Sequence, residues 1–480
     1  MDVNSPAWRD PKLTQWNAQR ERCADVLAGL DRLREKAATY NPKLPRESVA
    51  NYRIRLTVGE LTNLLGGAVR ASEGLITAKP PALLEGIPAR TGALWQDIDG
   101  AGTAGVVWLR EVLRRMLTET TVIAVASTPV RAGVAVTRAQ ETALALRPYV
   151  ALYRVEDVMS YRFARIGGRR VLTQLVLRER VEELDGAYGT KLVTQYRVLR
   201  RIEPGNHESM IFRDNERGDF VPYGEPEVIQ TAELPVVEFS SDPTAGFAQG
   251  PPPVLDLADL TLGHYRVTND RRWSMRQACF PWLVRTGYQP PPEGDAVGPT
   301  EALDLPLHGT AQFIAPPDTA FTPTRDELTD IERRAAALSL SFLSGEHAQA
   351  NETATAANID QEGQDAGLAA ILVSVRDGLN RLFALFDEML GEAPRDEYFT
   401  VSTKLRGMRR DPQLLRVVVD AWKEGGLPMG AMLHALQHGE LPDDFDVEAA
   451  ALEAMAEAET AHERAMEMAR ERTPANPTTA

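Results

Sequence analysis

Residues 251–390 constrain this chain more than any other stretch. A proline stop, Pro251-Pro252-Pro253, precedes a helical segment over 254–279, which along 259–279 carries Arg266, Arg271, Arg272 and Arg276 against Asp270 as the main acid. A Pro/Gly-rich excursion over 289–323 follows. A second helical segment over 324–343 opens acidic, with Asp326, Glu327, Asp330 and Glu332. A small polar loop, 344–355, then leads into a long amphipathic helix. Two helices of opposite charge around an insertion make a poor small-molecule pocket. Each is compatible with a plain solvated face. Together they suit a chain that repeats about an axis, the basic helix of one copy lying against the acidic helix of the next. Head-to-tail contacts of that kind close into rings.

The search for catalytic chemistry is nearly empty, and no catalytic residue, cofactor or metal is assigned. There is no GxxxxGK[ST] phosphate loop and no GxSxG elbow. Gly167-Gly168 stands in a hairpin context, which is no dinucleotide fingerprint. His434 and His438 have the i,i+4 spacing of a helical metal pair, but nothing nearby completes a site, and helix-surface histidines are the better reading. Asp443-Asp444 follows Pro442 at the head of a helix, where N-capping accounts for it. Glu352 and Asp360 are the best placed carboxylates of the polar loop region, yet no nucleophile accompanies them.

At 480 residues the chain has length for about two to four domains. Its net charge of −15 excludes broad coating of DNA, which needs basic faces, while allowing a passage that DNA moves through without adhering. Two cysteines, Cys23 and Cys279, lie too far apart for a CxxC metal site or a disulfide framework, so a reducing compartment is expected. Residues 1–11 lack an apolar signal core. No apolar run approaches the roughly 20 residues of a membrane span. A soluble chain with no membrane partner is the expectation.

The fold class read from periodicity is α+β. Helical spacing predicts one helix over 11–39 (Trp16, Cys23, Val26, Leu27, Leu30, Leu33), ended by Pro42 and Pro45. It predicts a second over 47–75, with Tyr52, Ile54, Leu56, Leu61, Leu64 and Leu65 on its apolar side, and a third over 103–121 that runs into the β-branched run 121–126. From 147 to 239 the period becomes strand-like, with turns at Gly167-Gly168 and Gly186 to Gly189, an antiparallel meander. Residues 240–253 read as a hinge. The helix 367–390 carries an apolar stripe of Leu368, Ile371, Leu372, Val375, Leu379, Leu382, Phe386 and Met389. A late strand is expected over 397–405, then helices over 411–423 and 447–472, and a Pro/Thr-rich disordered tail, 473–480.

An ordered series of motifs runs through this frame. It includes Leu44-Pro45-Arg46-Glu47-Ser48, Tyr52-Arg53-Ile54-Arg55-Leu56, Lys79-Pro80-Pro81 and Arg147-Pro148-Tyr149, then Tyr153-Arg154-Val155-Glu156-Asp157. Further on come the segment from Leu255-Asp256-Leu257 to His264-Tyr265-Arg266, Phe280-Pro281-Trp282-Leu283-Val284, Val297-Gly298-Pro299, Ile314-Ala315-Pro316-Pro317 and Asn351-Glu352-Thr353-Ala354-Thr355-Ala356. In order and wording the series resembles the portal proteins of tailed double-stranded DNA bacteriophages, and more narrowly a branch known only as a domain of unknown function. The likeness covers roughly 40–395 and loosens beyond.

What the resemblance implies is a portal fold assembling as a ring, usually a dodecamer. It would sit at one capsid vertex of the virion and be made in the host bacterial cytoplasm. Residues 40–253 and 356–410 would be the wing, 254–279 and 324–343 the stem, 280–323 the clip, 344–355 the channel loop and 411–472 the crown. The N-terminal extension 1–39 has no counterpart and would brace a neighbour or the capsid protein. The stem contact between subunits would use Arg266, Arg271, Arg272 and Arg276 with Glu327 and Asp330. The channel loop would present Glu346, His347, Gln349, Asn351 and Glu352 to passing duplex DNA; it holds no Lys or Arg, which suits a moving polyanion. The clip, through Pro290, Pro291, Pro292 and Glu293, would meet the large terminase subunit and later the head–tail adaptor. Major capsid protein and scaffold would be further partners. Across 440–472, eleven acids stand against three arginines, either a solvated helix or an acidic crown that repels packed DNA toward the axis. The alternatives are a head–tail connector, for which 480 residues is long, and a hydrolase working through Glu352, Asp360 or His347.

Overall fold

The apolar run before Ser127 becomes the central strand of the body. β2 (Thr121–Ser127) is buried at every position and is flanked on both sides, in the order β10–β2–β3. β3 spans Tyr149–Arg154 and β10 spans Val236–Ser240. All pairings are antiparallel, with Ile123 opposite Tyr153 and Glu238. The computed structural model describes residues 2–129, 146–215, 217–279, 282–286, 308–314, 321–338, 354–401, 419–421, 427–428 and 432. The chain divides into two units, Met1–Thr403 and Lys404–Ala480. The crown range lies almost wholly outside the described residues, and the two larger sheets with the helices that cover them belong to the first unit.

The expected meander is present. β4 (Val158–Ile166), β5 (Arg169–Asp185), β6 (Gly189–Glu203) and β7 (Asn206–Asp214) pair in sequence order. β8 (Phe220–Pro222) and β9 (Glu227–Gln230) both pair with β7. Gly167 and Gly168 take φ of 57° and 83° at the β4–β5 turn, the left-handed pair that a tight hairpin requires. The two sheets share a core in which Ile123 and Val125 pack with Leu175, Leu177 and Leu199. The pleat turns the alternate residues of β2 the other way. β2 and β10 also contact α7 (Gly105–Glu119) and the long helix Ala354–Leu390.

The N-terminal region departs from expectation. The helix expected over 11–39 is three helices, α1 (Asn17–Ala28), α2 (Leu30–Glu35) and α3 (Ala37–Tyr40). Gly29, at φ 96°, ends the first and its N–H caps Val26 O. These residues are integral to the body: Leu13 sits in the two-sheet core, and Arg20 donates from Nε to Glu119 O (3.0 Å) and from Nη2 to Gly250 O (3.1 Å). Burial pushes the Cys23 thiol up to about 12, so it has no thiolate chemistry near neutrality. The helix expected over 47–75 is likewise broken, into α4 (Val49–Val58) and α5 (Leu64–Ala78). The backbone turns extended at Gly59 (φ −63°, ψ 148°), which ends α4, and the glycine lies so close to Asn269 that a Cβ there would stand 2.2 Å from Oδ1.

Between α5 and α7 come β1 (Ala82–Leu83) and α6 (Ala89–Ala93). The late strand shrinks to β13 (Phe399–Thr400), paired with β1. Asn380 Oδ1 accepts from the N–H groups of Tyr398 and Phe399 (2.9 and 3.0 Å), tying β13 to the long helix. The apolar stripe of that helix is buried from Ile371 to Phe386; Leu368 lies among residues whose side chains are outside the described set.

Candidate functional site

The charged helix pair is where the sequence placed the function. α8 spans Leu255–Cys279, β11 Trp282–Thr286, β12 Thr310–Ile314, α9 Phe321–Leu338 and α10 Ala354–Leu390. The helix expected over 324–343 therefore starts earlier, at Phe321. β11 and β12 form an antiparallel hairpin, Val284 opposite Gln312, inside the range read as the clip.

α8 is clamped from two sides. α9 covers one, through buried Leu328, Ile331 and Ala335. His264, nearly buried, has Nε2 3.2 Å from Glu332 Oε1. α1, α4 and α5 cover the other. Thr261 Oγ1 donates to Leu257 O (2.8 Å) and accepts from Leu65 N (3.2 Å). Tyr265 Oη and both amide atoms of Asn269 are buried with no hydrogen-bond partner. Toward its end α8 opens to solvent at Arg272, Met275, Arg276 and Cys279.

The four arginines do not form one free basic face. Arg266 Nε donates to Tyr40 O (2.7 Å), and Arg272 pairs with Glu60. Arg22 also reaches α8, pairing with Asp259 at 2.6 Å. Arg271 is partly buried, and Arg276 has a partner of its own. On α9, Glu327 is exposed, while Asp330 is 3.5 Å from Arg333. Within one chain, therefore, the last residue of α3 and the connection between α4 and α5 take up Arg266 and Arg272. Such half-exposed pairs are worth about 0–1 kcal/mol, so they orient the helix more than they stabilise it. Glu346, His347, Gln349, Asn351 and Glu352, and Pro290, Pro291, Pro292 and Glu293, lie outside the described residues, as do His434 and His438.

Two ionic nodes behind α8 were not anticipated. Arg55, placed by the apolar pattern of α4 among exposed positions, is its buried residue. Its Nε and Nη2 donate to the two carboxylate oxygens of Glu47 (2.9 and 3.0 Å), Nη1 to Asn41 Oδ1 (2.6 Å) and Nη2 to Pro42 O (2.9 Å). Asp25 accepts from Lys36 Nζ (2.6 Å), Tyr40 Oη (2.6 Å) and Arg32 Nε (2.9 Å). Hydrogen bonds from Arg55 hold Glu47 below its ordinary 4.5. For Asp25, burial pushes upward, but the bonds from Lys36, Tyr40 and Arg32 prevail and hold it below 3.8. A carboxylate with a depressed folded pKa contributes stability above its unfolded value and loses it as pH falls through the folded one. The urea midpoint is therefore expected to drop between about pH 5 and about pH 3, and Glu47→Gln to flatten part of that limb. An acid limb as steep in Glu47→Gln as in the unmodified chain would contradict the Glu47 node.

Among the described residues no three His, Cys, Asp or Glu are grouped to hold a metal, and no helix is long and apolar enough to cross a membrane.

The profile of the family described as "Domain of unknown function (DUF4055)" matches residues 253–389, which begins just before α8 and ends one residue short of the end of α10. No curated protein matches the chain. Among solved structures, it is similar to a chain of "Neck of native GTA particle computed with C12 symmetry", at 11% identity and a TM-score of 0.39, over 83% of this chain and 94% of that one. It is similar to a chain of "Virion of native gene transfer agent (GTA) particle", at 12% identity and a TM-score of 0.38, with the same coverage.

Proposed function

We propose that the chain is the subunit of a phage portal, a ring at one capsid vertex through which double-stranded DNA enters and leaves without sequence-specific contact. The observation that carries this reading is the run α8, β11–β12 hairpin, α9 and α10. Two mutually packed helices hold a hairpin between them, and a 37-residue helix then leads back into the α+β body. That is the part list of a stem, a clip and a wing, in the order of the motifs that resemble portals. The net charge of −15 suits a conduit that must not hold its cargo. In this reading the chain turns over no substrate. A separate terminase supplies the ATP hydrolysis and docks at the clip around 290–293, where an adaptor later replaces it. Loop 344–355 faces the DNA and 411–472 the capsid interior. Exposed Glu327 and Asp330 lie toward the next subunit's α8, and Arg266 and Arg272 brace that helix from within their own chain.

Purified protein is expected to give negative-stain class averages with rotational symmetry and a central channel, twelvefold in the virion form. Monomers alone, across several salt concentrations, would overturn the portal reading.

A further inference from the structure

The longest hairpin among the described residues outruns its sheet. β5 and β6 pair all the way from Gln174–Arg200 to Asp185–Gly189. β4 flanks β5 only up to Leu177, and β7 flanks β6 only from Gln195. Beyond the Glu179–Gln195 pair two strands run alone to the turn at residues 186–188, a ribbon roughly 20 Å long at about 3.3 Å per residue. A two-stranded ribbon is marginal in water without a covering surface. This one ends in apolar side chains: Leu184 is 80% exposed, Leu192 67% and Tyr188 101%. Glu182 stands directly opposite Leu192, so Glu182, Leu184 and Leu192 share one face. Glu182 and Asp185 are exposed beside them. The tip is greasy and carries two exposed acids, with Arg180 and Lys191 exposed further back along the ribbon.

A second patch of the same chain is equally greasy and is basic, the complement of the two tip acids. Val49, Arg53 and Ile54 lie on the outer side of α4, away from buried Arg55. Val49 is 58% exposed, Ile54 37% and Leu44, just ahead of the helix, 50%. Lys43, Arg46 and Arg53 are exposed around them, and Glu47, the acid of this segment, is turned inward to Arg55.

We propose that the β5–β6 ribbon of one copy docks its tip on the outer face of α4 of a second copy, with Leu184, Tyr188 and Leu192 against Leu44, Val49 and Ile54, and Glu182 and Asp185 against Arg46 and Arg53. The two patches differ, so the contact is heterologous and repeats head to tail, the kind that closes a ring. The proposal rests on the ring reading above and names one of its interfaces. Both patches are solvent-facing in the single chain, so charge reversals there leave folding intact.

The test compares assembly by mass photometry, with urea midpoints as the folding control, for four chains: unmodified, Glu182→Lys/Asp185→Lys, Arg46→Glu/Arg53→Glu, and the fourfold combination. Each double reversal is expected to cut the assembled fraction at least tenfold at an unchanged midpoint, and the combination to restore it. A second arm, in a Cys279→Ser background, mixes Tyr188→Cys chains with Val49→Cys chains. Oxidation is expected to link the mixture into dimers and to leave each chain alone unlinked. Reversals that assemble like the unmodified chain, with no cross-link in the mixture, would overturn the interface and assign the tip to a different protein, leaving the ring intact. An unmodified chain that never assembles would remove the ring and this contact together.

Discussion

Replacing Arg55 by methionine is expected to lower the stability of the body by about 3–5 kcal/mol, the range for removing one partner of a buried ion pair. The Arg55 side chain is 1% exposed and that of Glu47 7%. The substitution leaves the Glu47 carboxylate desolvated, with only the Leu44 N–H (3.0 Å) on its Oε2, and it frees Asn41 Oδ1 and Pro42 O from their donor as well. The coupled change Arg55→Met/Glu47→Leu is expected to recover most of the loss, since an apolar pair of similar volume replaces a buried ion pair at little or no cost. Urea midpoints of the two variants decide the matter. A single variant that loses under about 1 kcal/mol would show that water reaches Glu47 and that the node is a surface pair. The node also matters for α8. Asp270 on that helix lies 3.7 Å from Arg55 Nη1, so Arg55→Met is expected to loosen the bracing of α8 as well as α4 itself.

Why Arg55 escaped the sequence reading is a matter of chemistry that period alone does not encode. Helical spacing ranks positions by apolarity, and on that ranking Ile54 faces inward. In the fold Ile54 is 37% exposed and Arg55 is covered, because Glu47, Asn41 and Pro42 arrive from the preceding loop to satisfy every direction of the guanidinium. Burial of a charge is set by partners outside the helix. The same limit applies to β1 and β13, where Thr400 Oγ1 reaches Ala82 O across 318 positions; two-residue strands carry no period to read. Other elements were plain. The β-branched run at 121–126 is a fully buried central strand, since a strand covered on both faces has no polar alternation to keep. The α10 stripe is interior from Ile371 to Phe386. Of the candidate site, the charges of α8 and α9 were legible as composition. Their allocation was not, because Tyr40 and Glu60, which take up Arg266 and Arg272, come from a segment more than 200 positions earlier in the chain. The exposed tip of β5–β6 did leave a signal: Leu184, Tyr188 and Leu192 sit around a glycine turn beyond the neighbouring strands.

Gly378→Ala is expected to destabilise, against the usual rule for a glycine inside a helix. Alanine ordinarily gains about 1 kcal/mol there through backbone propensity. At this position a Cβ would stand 2.4 Å from Cε1 and 2.6 Å from Cδ1 of Phe239. Phe239 is fully buried on β10, with its ring edge-on to Trp108 at 5.7 Å, so it has no free direction in which to yield. Overpacking of that kind costs about 1–3 kcal/mol, occasionally more. The upper end applies to a locked ring, which leaves a net loss of about 2 kcal/mol after the propensity gain. Gly378→Leu should exceed it. Phe239→Leu in the same chain opens the space the methyl needs. The double variant is therefore expected to lose less than the sum of the single losses, with a favourable coupling of about 1 kcal/mol or more. Ser374 Oγ donates to Ser240 O (2.8 Å) one turn away, so the close approach at Gly378 and this bond together seat α10 on β10. That seat is what the long helix has to push against where it enters the body. Additive losses in the double-mutant cycle, or a stabilised Gly378→Ala, would show that α10 rides over the sheet without touching the ring.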